Sequence, residues 1–151
     1  MLTRIISGGQ TGADQGGLEA GKELGLETGG AAPRYFLTEN GPQPKLLEGY
    51  GLVELEQPGY QIRTLINVIN SDLTVVFGNQ GSPGSRLTLN YCKERSKPYL
   101  VNPSSDDLLK AIVVGSTKVL NVAGNRESKN PGIQERVKKF LVEALKEYTL
   151  G

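Results

Sequence analysis

The 151-residue chain contains no histidine, no tryptophan and only one cysteine, Cys92. Without histidine it cannot form a Ser-His-Asp triad, a Cys/His zinc site or an imidazole acid–base catalyst. One cysteine cannot form an internal disulfide, and we expect Cys92 to face the core as a small apolar residue. The missing residue types therefore exclude much of the common nucleophilic and metal-dependent chemistry.

The sequence also has little excess charge and no long apolar run. Its 17 basic and 16 acidic residues give a net charge of +1, without long blocks of one sign. This distribution does not favour nucleic acid or an anionic membrane as a partner. No apolar run approaches the roughly 20 residues of a membrane span, and the first strand begins too early for a signal peptide. We expect one cytoplasmic domain that covers residues 1–151.

Glycine is abundant instead, with 20 residues, and much of it follows predicted strands. A short strand around Ile5 and Ile6 runs into a glycine-rich turn at 7–12 and then into a helix. Such a turn presents free backbone N–H groups and a helix N-terminus to an anion. We therefore predict a phosphate site whose binding groups are the Thr11 hydroxyl and the backbone N–H groups of Gly8, Gly9, Gln10, Thr11 and Gly12.

The alternative is that the glycines serve packing alone. Ala13, Gly17, Ala20 and Gly21 share one face of the predicted helix, which would let that helix lie very close to a sheet. Asp14 lies in the first helical turn, where a carboxylate is favoured by the helix dipole but opposes a bare phosphate.

Two later segments repeat the strand, loop and helix order. The run at 72–77 is β-branched and nearly continuous, as in a strand buried on both faces, and it leads into a glycine-rich loop at 78–85. The last strand, at 118–123, leads into a third loop at 123–132, where Asn130 and Pro131 are predicted to start the final helix. Weaker strands are predicted at 27–32 and 97–101, and Ser104 is predicted to cap the helix that follows the second of these.

This alternation predicts a Rossmann-like three-layer α/β/α sandwich with a mainly parallel sheet. Loops that follow parallel strands share the carboxyl edge of the sheet, where ligands bind. The three glycine-rich loops should therefore converge there. Outside the first loop, the predicted ligand-binding residues are Asp14, Arg34, Gly81, Gly84, Ser85, Arg86, Gly124, Arg126, Ser128 and Lys129.

Two segments lie outside this pattern. Residues 36–59 contain too much glycine and proline for a regular element, apart from a short strand near 52–55, so we expect a lid over the site or a subunit contact. The next segment, 60–70, has the spacing of an amphipathic helix. On that helix Arg63 and Asn67 fall one turn apart, and we interpret them as a solvated polar face.

Several motifs together resemble the molybdenum carrier proteins, short relatives of the LOG-like, lysine-decarboxylase-like Rossmann proteins of the SLOG superfamily. The resemblance covers almost the whole chain, and it is carried by ISGGQTGAD at 6–14, Arg63-Thr64 with Asn67-Val68 and Ser71-Asp72, LNVAG at 120–124, Arg126-Glu127-Ser128 and Pro131-Gly132-Ile133. It implies a nucleotide or a pterin phosphate such as the molybdenum cofactor as ligand, together with self-association into a homo-oligomer. No metal ligated by the protein is expected.

Two positions depart from the related LOG-like enzymes. Their P-G-G-x-G-T-x-x-E motif is only partly matched by Ser82-Pro83-Gly84-Ser85, and Thr88 stands where the glutamate is expected. The sequence Ala32-Pro33-Arg34-Tyr35 also differs from the Cys-Pro-x-Gly-Arg of many relatives. Without that glutamate and without histidine, cleavage of a glycosidic bond lacks its obvious acid–base group.

The leading hypothesis is a non-catalytic binding or carrier protein for a phosphate-bearing small molecule. One alternative is a nucleotide-processing hydrolase or transferase of LOG-like type, with Asp14, Asp72 or Glu127 as acid or base; solvation or helix capping is the competing interpretation of each carboxylate. A second alternative is a regulatory, nucleotide-sensing or interaction module whose partner surface is the segment 36–59.

Overall fold

A computed structural model describes residues 1–150, with side chains described through residue 149; residue 151, the end of the predicted domain, lies outside this range. The chain forms one parallel sheet with the spatial strand order β5-β2-β1-β8-β6-β7. Its strands are β1 (Arg4–Ile6), β2 (Glu27–Ala32), β5 (Leu52–Glu54), β6 (Leu73–Phe77), β7 (Tyr99–Val101) and β8 (Val119–Gly124). A separate antiparallel hairpin pairs β3 (Leu37–Thr38) with β4 (Gly41–Pro42).

Helices cover both faces of the sheet, which confirms the predicted three-layer Rossmann-like architecture. One face carries α1, α5 and α6, the other carries α3 and α4, and α2 lies beside β5. The helices are α1 (Ala13–Glu23), α2 (Pro44–Gly49), α3 (Gln61–Ile69), α4 (Pro83–Glu94), α5 (Ser105–Val114) and α6 (Ile133–Leu150). No helix in the described range 1–150 is long and apolar enough to cross a membrane.

The small face of α1 packs directly on the sheet, as its spacing predicts. A Cβ added to Gly17 would lie only 2.7 Å from the Cβ of Val122 on β8. The larger core forms where α1, α5 and α6 meet the sheet, with Ile5, Leu120 and Leu141 among its fully buried side chains. Cys92 is also completely buried, which confirms that it faces the core.

The strand order places the three loops at one edge and opens a notch between them. From β1 the chain adds β2 and then β5 on one side of the sheet. β6 and β7 lie on the other side, and β8 returns to the centre between β1 and β6. Phe77 pairs with Gly124, so the loops after β6 and β8 leave the sheet at the same level. Ile6, the last residue of β1, pairs with Asn121 instead, and β1 therefore ends before its neighbour does.

The segment 36–59 is more regular than its composition suggests. It contains the hairpin β3-β4, the helix α2 and the edge strand β5, so the prediction of an irregular segment is wrong except for the strand near 52–55. Pro44 stands in the first turn of α2, where its missing N–H costs nothing. Leu47 and Leu52 give this segment a small core of its own together with Leu18, Ala32 and Phe36.

Candidate functional site

A hollow of about 590 Å³ opens at the carboxyl edge, between the first and third loops and the starts of α3 and α4. Three cationic side chains line it, and Asp14 is its only carboxylate among the described residues. The lining residues are Gln10, Asp14, Tyr60, Gln61, Arg63, Thr64, Ser82, Pro83, Gly84, Leu87, Thr88, Ala123, Gly124, Arg126 and Lys129. The volume is in the range of small-molecule sites, and the excess of cations favours an anionic ligand.

Four of the five predicted N–H donors of the first loop, all except that of Gly8, are already bound within the protein. Gln10 N donates to Asp14 Oδ2 over 3.1 Å, and Thr11 N donates to Gln10 Oε1 over 3.1 Å. Gly9 N donates to Ser7 Oγ, and Gly12 N donates to the side chain of Gln134 on α6 over 3.0 Å. This corrects the predicted role of the loop, because these N–H groups have no hydrogen left for a phosphate.

Asp14 and Arg63 form an ion pair at the hollow. Arg63 Nη1 lies 3.1 Å from Asp14 Oδ2, and the side chains are only 14% and 5% exposed. Burial raises the pKa of Asp14, although the charge of Arg63 and the Gln10 N–H oppose that effect. The arginine lies over Gly8, where a Cβ would overlap its guanidinium. The first loop therefore needs glycine at this position to admit Arg63.

The interpretation of Arg63 and Asn67 as a solvated face is wrong. Asn67 is buried, and its side chain accepts from Ala31 N at 2.8 Å and donates to Ala31 O at 3.0 Å. The backbone N–H and C=O of Ala31 point toward the β1 side of β2, but the pairing of β1 with β2 ends at Gly29. The Asn67 amide thus replaces the strand partner that the short β1 does not provide.

Two helices begin at the hollow, and no side chain caps either of them. The residues before α3 and α4, Tyr60 and Ser82, make no side-chain capping hydrogen bond. In the described part of the chain, the N–H groups of Gly84 and Ser85 in the first turn of α4 also donate to no protein acceptor. Uncapped helix N-termini attract anions through these free donors and through the helix dipole.

Glu39, at the tip of the hairpin β3-β4, joins the first loop to the third. Its carboxylate accepts hydrogen bonds from the Thr11 hydroxyl, the Ser128 hydroxyl and Ser128 N. Burial acts to raise the pKa of Glu39, but the hydrogen bonds from Ser128 and Thr11 outweigh it and hold the pKa below its ordinary value. The hairpin tip therefore joins two of the three loops, and no residue of the segment 36–59 lines the hollow; the role of this segment as a lid or a subunit contact stays a prediction.

The other two candidate carboxylates do not face the hollow. Glu127 accepts from Gly132 N at 2.6 Å and from Gln134 N at 3.0 Å, so it caps the start of α6. This corrects the prediction that Asn130 and Pro131 start that helix. Asp72 accepts from Val119 N at 3.0 Å before β6 begins, at the amino edge of the sheet. The hypothesis that Asp72 acts as an acid or base expects it to border a loop of the carboxyl edge, and this expectation is wrong.

The structure brings six of the predicted ligand-binding residues together in the lining of the hollow: Gln10, Asp14, Gly84, Gly124, Arg126 and Lys129. The other predicted residues of the three loops and of α4 are not part of this lining: Gly8, Gly9, Thr11, Gly12, Gly81, Ser85, Arg86 and Ser128. Arg34 is separate, because it stacks on Tyr35 and lines a different hollow with Glu54 beyond β2.

Sequence reasoning missed Tyr60, Arg63 and Glu39 at this edge. The guanidinium carbons of Arg63 and Arg126 lie 5.2 and 5.8 Å from the centre of the Tyr60 ring. For Tyr60 and Arg63 the sequence did contain one signal, which is their position at the start of the predicted amphipathic helix 60–70. Within residues 1–150 there is no group of three or more Cys, Asp and Glu side chains that could hold a metal ion.

Comparison with known proteins supports the resemblance seen in the sequence. Residues 5–145 match the circularly permutated YpsA SLOG family. A crystal structure named "Putative molybdenum carrier protein", from Syntrophus aciditrophicus SB, is similar to this chain with 34% identity and a TM-score of 0.83. The alignment covers 95% of this chain and 94% of that protein. None of the curated proteins matches the chain.

Proposed function

The chain belongs to the circularly permutated YpsA SLOG family, and from this we propose that it is a binding or carrier protein for a phosphate-bearing small molecule held in the hollow. The observation that carries the proposal is the meeting of Arg63, Arg126 and Lys129 with the uncapped starts of α3 and α4. Charged donors and free helix N–H groups are the usual partners of a phosphate.

The phosphate position proposed here differs from the one expected from the sequence. Since the N–H groups of Gly9, Gln10, Thr11 and Gly12 are bound within the protein, we place the phosphate between Arg126, Lys129 and the first turn of α4, where Gly84 supplies a free N–H. The ion pair with Arg63 offsets the charge of Asp14, which otherwise opposes an anion.

The name of the similar structure makes the molybdenum cofactor, a pterin phosphate, one candidate, and a nucleotide is the other. Both are flat heterocycles that carry phosphate. The hollow suits such a ligand in volume, and it also offers the Tyr60 ring and Leu87 as apolar surface. The metal of a molybdenum cofactor would be held by the pterin, because the chain supplies no histidine and its one cysteine is buried.

Calorimetric titration of the purified chain with GMP, AMP and neopterin monophosphate tests the proposal, together with mass spectrometry of any copurified small molecule. At least one of these compounds is expected to bind. Arg126→Ala with Lys129→Ala should weaken that binding about tenfold or more, and the effect should be larger at low salt.

The matched control is Arg95→Ala with Lys110→Ala, which removes the same charges from exposed positions outside the hollow. It should leave the affinity unchanged. If none of the three compounds binds and nothing copurifies, the proposal is wrong. If the two double variants weaken binding equally, the ligand is not held where we place it.

The enzymatic alternative now rests on Asp14 alone. Its carboxyl group lines the hollow, and burial raises its pKa, which is the usual condition of a general acid. Incubation of the protein with nucleoside monophosphates, followed by chromatography, separates the two functions. Release of a free base that is lost in Asp14→Asn would favour the enzyme, whereas recovery of intact nucleotide favours the carrier.

A further inference from the structure

Three side chains in the lining of the hollow have hydrogen-bonding capacity that the described protein atoms do not use. Gln10 is 6% exposed, and its Nε2 has no partner. The Nε of Arg63 also has no partner. Asp14 is 3% exposed, and its Oδ2 receives both of its hydrogen bonds while Oδ1 receives none. Buried polar groups are nearly always paired, so these unused groups, on residues that line the hollow, point to a ligand that supplies their partners.

The free end of Gln10 is its donor end. Oε1 accepts from Thr11 N at 3.1 Å and from Glu39 N at 2.8 Å, which fixes the amide orientation. The unused groups are therefore two kinds of donor, on Gln10 and Arg63, and one acceptor, Oδ1 of Asp14, which has two lone pairs. A fully ionised phosphate cannot satisfy this set, because it has no donor for a carboxylate.

A 2-amino-4-oxo-pyrimidine ring matches the unused groups. Its ring N–H and neighbouring amino group are adjacent donors that suit the two lone pairs of Asp14 Oδ1. Its oxo oxygen has two lone pairs, which suit the donors of Gln10 and Arg63. Adenine matches less well, since its amino group is flanked by ring nitrogens whose lone pairs face the carboxylate.

The rest of the hollow can hold such a ring. Tyr60 is partly buried and supplies a flat surface beside Arg63 and Arg126, whose guanidinium carbons lie 5.2 and 5.8 Å from the centre of its ring. Leu87 on α4 adds apolar surface to the same lining. Flat heterocycles stack on such groups, and the uncapped start of α4 remains available to a phosphate on the same molecule.

We propose that Asp14 and Gln10 recognise the edge of a 2-amino-4-oxo-pyrimidine ring, the ring that guanine shares with the pterins, and so select the ligand. The inference rests on the proposed function, because it assumes that the hollow holds a phosphate-bearing ligand. Asp14 and Gln10 are then specificity residues, whereas Arg126, Lys129 and α4 bind the phosphate.

Calorimetry with the full chain tests the selection. GMP, AMP, neopterin monophosphate and ribose 5-phosphate are the probes. At least one of GMP and neopterin monophosphate is expected to bind about tenfold or more tightly than AMP, and ribose 5-phosphate should bind most weakly. The tighter binder of GMP and neopterin monophosphate shows whether the site prefers the ring of guanine or that of a pterin.

Two results would overturn the inference. Equal or tighter binding of AMP would contradict it while leaving the proposed function intact. Failure of all four probes to bind would contradict both.

Two variants separate recognition from a structural role. Asp14→Asn replaces an acceptor by an amide that can donate, so it should lose the preference for GMP and favour xanthosine monophosphate, which has an oxo group in place of the 2-amino group. Gln10→Glu keeps the acceptor for Thr11 N and Glu39 N but removes the Nε2 donor, and GMP should bind about tenfold more weakly.

The matched control is Gln61→Glu, the same change at an exposed position of the hollow. It should keep the ratio of GMP to AMP affinity, and thermal melting checks that each variant is folded. An unchanged GMP preference in Asp14→Asn, or wild-type GMP affinity in Gln10→Glu, would show that these residues do not read the ring.

Discussion

Arg63 donates from Nη1 to Asp14 Oδ2 over 3.1 Å, and this contact joins the start of α3 to the first turn of α1. The two residues are 49 positions apart in sequence. Their side chains are mostly buried, so each depends on the other to offset the loss of hydration. The pair also places both groups in the lining of the hollow.

Arg63→Met should destabilise the protein by about 3 kcal/mol at neutral pH, because it leaves the Asp14 carboxylate buried without its cation. Burial already raises the pKa of Asp14 above its ordinary value, and the loss of Arg63 raises it further. A raised acid pKa in the folded state means that stability falls as the pH rises from the unfolded pKa toward the folded one. Urea denaturation should therefore show a larger deficit at pH 8 than at pH 4.

The control for this prediction is Asp14→Asn combined with Arg63→Met. Without the ionisable group, the extra pH dependence should disappear. A deficit in Arg63→Met that is the same at both pH values would mean that the arginine stabilises the fold by packing and not by its charge.

Glu39→Gln should lower the free energy of unfolding at pH 7 by about 1 kcal/mol, since it weakens the hydrogen bonds from Thr11 and Ser128 to a charged acceptor at a partly exposed position. The pKa of Glu39 is lowered in the folded state. Its contribution is therefore complete above the unfolded pKa of about 4.3 and is lost as the pH falls through the folded pKa.

Urea denaturation between pH 7 and pH 3 checks this, and the difference between wild type and Glu39→Gln should shrink toward the acid end. Glu48→Gln serves as control, because Glu48 is exposed and its carboxylate makes no described hydrogen bond or ion pair. A constant difference across the range would contradict a role for the charge.

Gly17→Ala should destabilise the protein by roughly 1 to 2 kcal/mol, even though alanine is the better helix former. The new methyl group would lie 2.7 Å from the Cβ of Val122, which forces α1 away from β8. The change in melting temperature measures the effect. Gly49→Ala, at a helical glycine with no atom near the added group, should change stability by less than about 0.5 kcal/mol; equal effects at the two sites would contradict the close packing of α1.

Asn67→Ala should cost roughly 2 to 4 kcal/mol, because it leaves the N–H and the C=O of Ala31 buried without partners. Urea denaturation measures the loss, and hydrogen exchange at Ala31 N should accelerate selectively. Asn90→Ala, at an exposed position on α4, is the control and should be close to neutral. Slow exchange at Ala31 in Asn67→Ala would show that another group pairs with this strand.

Local sequence patterns predicted the layers of the fold. The β-branched run at 72–77 could only be buried, and it became β6 in the interior of the sheet. The small face of α1 predicted close packing, which Gly17 and Val122 confirm. Ser104 accepts from Asp107 N at 3.1 Å, as a capping residue should. In each of these cases the decisive interactions are set by periodicity or by near neighbours.

Long-range side-chain contacts could not be predicted in the same way. Asn67 looks solvated on a helical wheel, but its partner is Ala31, 36 residues away, at a point of β2 where β1 has already ended. Glu39 reaches Ser128 across 89 residues from a hairpin that the glycine and proline content concealed. The N–H groups of the first loop look free in the sequence, because their acceptors on Gln10, Asp14 and Gln134 depend on the folded arrangement.

The pairing of β1 with β8 also has a consequence for how the protein is made. β1 gains its central neighbour only when residues 119–124 have emerged from the ribosome, and α1 is covered by α6 later still. During synthesis the apolar side chains of β1 and α1 must therefore remain without their final partners until nearly the whole chain is available. Residues 1–150 are therefore expected to fold through long-range contacts and not by stepwise growth from β1.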